Sequence, residues 1–154
     1  MKKNYCYLPF IILSGLLIIC FGLKITAQTK DTAPLRLAVA GLKHGHAPFI
    51  FNRKGKTDVT VVGIYEPDVE VATQYAKRYN LDKDLFYTDL NKMLDKLKPE
   101  ALAAYGSIFD HLKAVEACAP RGIHVMVEKP LATNLADALK MEKLATENHI
   151  FLLT

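Results

Sequence analysis

The sequence predicts an α/β fold, a doubly wound parallel sheet with helices on both faces. Three observations predict it. Short apolar runs alternate with segments whose apolar residues recur at helical spacing, and the connections between them are brief. The first apolar run, Leu35 to Ala40, ends at a glycine, Gly41. The second, "DVTVVGIYE" (58–66), ends at an acidic residue, Glu66. Crossovers between parallel strands are right-handed nearly always, which fixes the doubly wound form.

Each element follows from its residues. Leu35 to Ala40 is a short apolar run stopped by Gly41 and reads as a buried strand. A helix is expected from about His46 to Arg53. Residues 58–66 are β-branched and apolar, so they form a second strand. "DVEVATQYAKRYNL" (68–81) begins with the cap residue Asp68 and carries Val71, Tyr75 and Tyr79 at helical spacing. "DLNKMLDKL" (89–97) is a short helix with Leu90, Met93, Leu94 and Leu97 on one face. "EALAAYGS" (100–107) is assigned as the third strand by context, because its alanines also suit a helix. "HLKAVEACAPRG" (111–122) is a helix with a glycine stop, and "IHVMVEKP" (123–130) is a strand that Pro130 must end. "NLADALKMEKLATENH" (134–149) is a helix capped by Asn134. "IFLLT" then begins a buried strand that needs cover on its faces and edge, so the chain is expected to be a fragment of a longer protein.

The first 27 of the 154 residues stand apart. Lys2 and Lys3 precede the apolar run "YLPFIILSGLLIICFGL", and "ITAQ" offers the small residue Ala27 as a cleavage point. That is the layout of a secretory signal peptide, so residues 1–27 are read as a signal, 28–34 as a linker, and the protein as periplasmic or extracellular. An uncleaved membrane anchor is the competing reading, since the run is about long enough to span a bilayer. Lys2, Lys3 and Lys24 fall in this segment with no acidic residue. Beyond it lie 17 basic and 16 acidic residues, a net charge of +1. The basic character belongs to the leader and gives no support for nucleic-acid binding. Cys6 and Cys20 also lie there, which leaves Cys118 alone and unable to form an internal disulfide.

Ligands of a doubly wound sheet sit at the carboxyl ends of its strands. Gly41 stands where the first glycine of a G-x-G-x-x-G fingerprint belongs, leading to a helix whose N–H groups would face a diphosphate. It could equally serve only the tight turn. Lys43 replaces the second glycine, where a side chain holds the ligand off and a positive charge partly compensates. His46 replaces the third, and Gly45 would provide close helix–strand packing in a shifted register. His44 and His46 have no Cys, Asp or Glu beside them in sequence, so no metal is expected, and the imidazoles face solvent or ligand. Glu66 is placed to accept hydrogen bonds from both ribose hydroxyls of an adenosine and to repel a 2′-phosphate, favouring NAD over NADP. A plain turn carboxylate before Pro67 is the alternative.

"GIHVMVEKPLATNLADALKMEKLA", with "AVAGLKHGH", "GIYEPD" and "SIFDHLKAVEACAPRG", closely resembles the N-terminal domain of the glucose–fructose oxidoreductase/inositol dehydrogenase (Gfo/Idh/MocA) family. The likeness runs from Leu35 to the end of the chain. Its most specific element is Glu128-Lys129-Pro130 between a strand and a helix. The resemblance implies that Lys129 lies beside the nicotinamide and substrate, where a cation stabilises a developing alkoxide or transfers a proton. It implies that Glu128 orients its neighbourhood and Pro130 keeps Lys129 extended. His111 matches the histidine of a loop that runs along the cofactor, or is only a first-turn helix residue. The incomplete fingerprint departs from the family, and the family's C-terminal α/β domain is absent. That domain supplies substrate contacts, the catalytic histidine and the oligomer interface, so the chain alone is not expected to turn over.

The expectation is therefore the nucleotide-binding domain of an exported NAD(P)-dependent oxidoreductase acting on a sugar or polyol. A protein exported unfolded must find its NAD outside the cytoplasm. The alternatives are a redox-cycling glycosidase of the same fold, or a non-enzymatic binding domain that has lost the cofactor.

Overall fold

The structure, a computed structural model, describes residues 33–154; the expected signal segment, residues 1–27, lies outside them. The chain alternates strand and helix as β1 (Leu35–Ala40), α1 (Pro48–Phe51), β2 (Val59–Tyr65), α2 (Val69–Tyr79), β3 (Phe86–Tyr87), α3 (Leu90–Leu97), β4 (Ala101–Ala104), α4 (His111–Cys118), β5 (His124–Val127), α5 (Leu135–Glu147) and β6 (Leu152–Leu153). The strands make one parallel sheet in the order β3-β2-β1-β4-β5-β6. Strand order reverses between β1 and β4, which opens a crevice at their carboxyl ends.

The pleat of β1 explains the two-faced winding. Leu37 and Val39 point to one side, where they pack with Ala47, Ile50, Val71 and Tyr75 of the α1 and α2 layer. Ala38 and Ala40 point to the other, against Met93, Leu94, Val115 and Met141 of α3, α4 and α5. Where β1 meets β2, Leu37 pairs with Val61 and Ala38 with Gly63, so Val62 is bulged out of register. Gly63 leaves room here for α3: a Cβ on it would meet Leu97 Cδ1, and that side chain would have to shift.

Caps set the helix starts. The Asp68 carboxylate accepts from the Glu70 and Val71 amides, Asp89 from Lys92, and Asn134 from Asp137. Four expectations are corrected. The first helix is only Pro48–Phe51, because Pro48 fits a first helical position and the preceding residues turn instead. The two-residue strand Phe86–Tyr87 adds a member to the sheet, so "EALAAYGS" supplies the fourth strand. The strand expected over 123–130 stops at Val127, leaving Glu128 to Pro130 as a loop with a cis Lys129–Pro130 bond. Finally, the strand in "IFLLT" is not buried. Phe151 and Leu153 are exposed, Ile150 is in the core and Leu152 packs against it, with β5 the neighbour of β6 among the described residues. Among the described residues no helix is long and apolar enough to cross a membrane.

Cys118 is fully buried against the core of α3, α4 and α5, and burial pushes its thiol up to about 12. A raised thiol pKa adds stability below the ordinary thiol range, and that contribution fades as pH approaches 12. Iodoacetamide at pH 8 should leave Cys118 unmodified in the folded chain and alkylate it in urea, read by peptide mass spectrometry. Modification of the folded chain at a free-thiol rate would contradict this placement.

Candidate functional site

The first loop is set by a close backbone approach. Gly41 takes φ +81°, and a Cβ on it would lie 2.6 Å from both N and Cα of Gly106, the residue that leads out of β4 beyond Tyr105. Gly41 N donates to Tyr65 O at 2.8 Å, Tyr105 N to Ala40 O at 2.7 Å, and His44 N to Tyr105 O at 3.1 Å. The ends of β1, β2 and β4 are thus bound into one rim. Gly41 serves the tight turn and also leaves the switch point bare of side chains. The expectation that a helix N-terminus faces the diphosphate is corrected: α1 has four residues and starts at Pro48, which has no N–H to offer. Close helix–strand packing falls to Ala47, fully buried, and not to Gly45, whose added Cβ would meet nothing within 4 Å.

Glu66, 3% exposed, follows β2 and lines the same cleft. One carboxylate oxygen accepts from Leu42 N at 2.9 Å and the other from Asp68 N at 3.0 Å. Each oxygen retains a second acceptor position, the capacity a ribose diol uses. Sequence reasoning missed the other half of its work, which is to hold the first loop onto the end of β2. Lys43 does not lie over that loop. Its Nζ pairs with Asp68 Oδ2 at 2.9 Å on the cleft rim. The Asp68 carboxylate raises the Lys43 pKa, while Lys43 first and then the Val71 amide lower that of Asp68.

The cleft has a volume of about 1100 Å³ and runs along the carboxyl ends of β1, β2 and β4. Gly41, Lys43, His44, Glu66 and His111 line it, and so do Thr88, Asp89, Gly106 and Ser107, which sequence reasoning did not single out. Gly106-Ser107 was detectable as a Gly-Ser pair ending a strand; Thr88 depended on the unforeseen β3. His111 opens α4 and is 1% exposed. Its Nδ1 faces Leu131 O at 3.1 Å and so donates to it. That leaves Nε2 as a bare acceptor, buried with no partner among the described residues. His111 is a first-turn residue of α4 and lines the cleft.

A second group forms next to Lys129. Glu128 Oε1 lies 2.8 Å from His46 Nδ1 and 3.8 Å from His44 Nδ1. Burial pushes the Glu128 pKa up, but the His46 hydrogen bond and the charges of His46 and His44 outweigh it and hold the carboxyl below its ordinary value. The sequence separation of 82 residues hid this contact. Glu128 is hydrogen-bonded to His46. Lys129 and Pro130 are exposed beyond the end of β5, and they, Gly45, His46 and Glu128 do not line the cleft itself.

Comparison with known proteins decides the family. Residues 35–154 match the Gfo/Idh/MocA family, described as an oxidoreductase family with an NAD-binding Rossmann fold. The chain belongs to this family. No curated protein sequence matches it. An oxidoreductase from Sinorhizobium meliloti is 29% identical, with a TM-score of 0.67 over 79% of this chain and 36% of that one. The WlbA dehydrogenase from Bordetella pertussis, in complex with NADH and UDP-GlcNAcA, is 21% identical, with a TM-score of 0.68 over 78% and 37%. An inositol dehydrogenase homolog from Azotobacter vinelandii, complexed with NAD+, is 19% identical, with a TM-score of 0.66 over 79% and 33%. The last two show the shared fold. The chain spans about a third of the length of these Gfo/Idh/MocA proteins.

The cofactor of the Gfo/Idh/MocA family is NAD, and the residues present fit it. A Cβ would fill the Gly41–Gly106 approach, Glu66 offers acceptors to a diol, and His111, whose Nε2 is buried without a partner, is among the residues that line the same cleft.

Proposed function

We propose that this chain is the nucleotide-binding part of an exported NAD-dependent oxidoreductase that acts on a sugar or polyol. The observation that carries the reading is the convergence of Glu66, the Gly41–Gly106 approach and His111 on one cleft at the switch point of the sheet. NAD, held by these residues, would supply a hydride acceptor for the oxidation of a carbinol carbon. Lys129, exposed beyond the end of β5, would stabilise the negative charge on the carbinol oxygen as its proton passes to solvent. Glu66 carries the preference for NAD, since its carboxylate repels a 2′-phosphate. Relatives that hold UDP-GlcNAcA or are named for inositol support a polyhydroxylated substrate. The apolar run in residues 1–27 supports export.

Calorimetric titration of NAD and then NADP into the full chain tests this. NAD should bind, and NADP should bind at least tenfold more weakly. No heat from either nucleotide with a folded sample would favour a non-enzymatic domain that has lost the cofactor.

A further inference from the structure

We propose that His44, His46 and Glu128 form a binding site for a divalent transition metal, zinc or an ion of similar preference. Each residue offers one ligand atom, and these atoms lie within 4.8 Å of one another. No metal is expected from the sequence, because no Cys, Asp or Glu stands beside the histidines; the fold supplies Glu128 from the end of β5. Two imidazoles and a carboxylate are a donor set that zinc accepts, with a fourth position left for solvent or ligand. Tetrahedral zinc with bonds of about 2.1 Å separates its donors by about 3.4 Å. The separations from Glu128 Oε1, 2.8 Å to His46 Nδ1 and 3.8 Å to His44 Nδ1, lie on either side of that value, and the whole set lies within 4.8 Å.

Protonation and access agree with the assignment. In its neutral form the His44 ring accepts at Nδ1 from the His46 backbone N–H at 3.2 Å, so the lone pair there is turned toward the cluster. A metal would replace this long bond and the proton on His46 Nδ1. The His44 and His46 side chains are 32% and 45% exposed, which gives the rings freedom to turn and an ion a way in. The Glu128 side chain is 13% exposed, so the fixed member of the set is the anion. Resting on the proposed oxidoreductase reading, the open position would take a substrate hydroxyl beside Lys129.

The site is tested with the metals alone, on the untagged full chain, without nucleotide. Zn2+ calorimetry should show one equivalent bound, and Co2+ should develop visible absorption from a low-coordinate site. His44→Ala, His46→Ala and Glu128→Gln should each weaken both signals at least tenfold, whereas His149→Ala should leave them unchanged. Circular dichroism of each variant shows that it is folded. No binding, or binding that the Glu128→Gln variant retains, overturns the three-donor site. Because no NAD is present, this result stands apart from the nucleotide titration. Metal binding without NAD binding would overturn only the oxidoreductase reading.

Discussion

Gly41→Ala should lower the thermal midpoint of the chain by about 10 °C and abolish NAD binding. Two costs add. At φ +81° an L-residue loses about 1–2 kcal/mol. The new Cβ also lies 2.6 Å from the backbone of Gly106, and no flexible side chain can move aside there. Forcing β1 and β4 apart at their carboxyl ends adds about 1–3 kcal/mol, for a total of about 2–5 kcal/mol. Two further glycines separate the terms. Gly122 has φ +69° and open space around it, so Gly122→Ala should cost only about 1 kcal/mol. Gly45 has open space and no positive φ, and Gly45→Ala should be neutral. Thermal unfolding by circular dichroism reads all three. A Gly41→Ala variant no less stable than Gly122→Ala would show that the two loops do not meet.

Glu66→Ala should cost about 2–4 kcal/mol of stability and weaken NAD at least tenfold. The carboxylate accepts two backbone N–H bonds, and the Leu42 amide belongs to a residue that is 2% exposed. Removing the acceptor leaves that donor buried without a partner, the expensive case for a hydrogen bond. Glu66→Gln keeps one oxygen but presents an amide N–H to a backbone N–H, so its cost should fall between wild type and Glu66→Ala. Urea denaturation gives the stabilities, and calorimetry at a temperature where each variant is folded gives the affinities. With the anion gone, the gap between NAD and NADP should narrow in both variants. A Glu66→Gln variant with wild-type stability would remove the loop-anchoring role. An unchanged NAD-to-NADP ratio would remove the specificity role.

Much of the architecture was legible because each element carries a local signal. The pattern of β1 and its stop at Gly41, the cap at Asp68 and the breaker at Pro130 act within a few residues of themselves. The errors fall where the local signal is weak. Phe86–Tyr87 is too short to show a period, and its strand exists only because Ile64 and Tyr65 of β2 stand beside it. The helix expected to begin near His46 begins at Pro48, because a turn through residues 44–47 buries Ala47 first. Lys43 was read against a diphosphate, yet its partner is Asp68, a residue whose capping role alone was evident.

By itself the sequence determined the alternating α/β order, the glycine and acid at the ends of the first two strands, and the Glu128-Lys129-Pro130 element. All of these are properties of short segments. Only the tertiary structure decided that Gly41 touches Gly106, that Glu66 holds Leu42, and that His44 and His46 meet Glu128. The physical reason is common to the three. A parallel sheet brings the carboxyl ends of strands distant in sequence to one edge, and the order in which the strands lie there is a result of packing, which no short segment encodes.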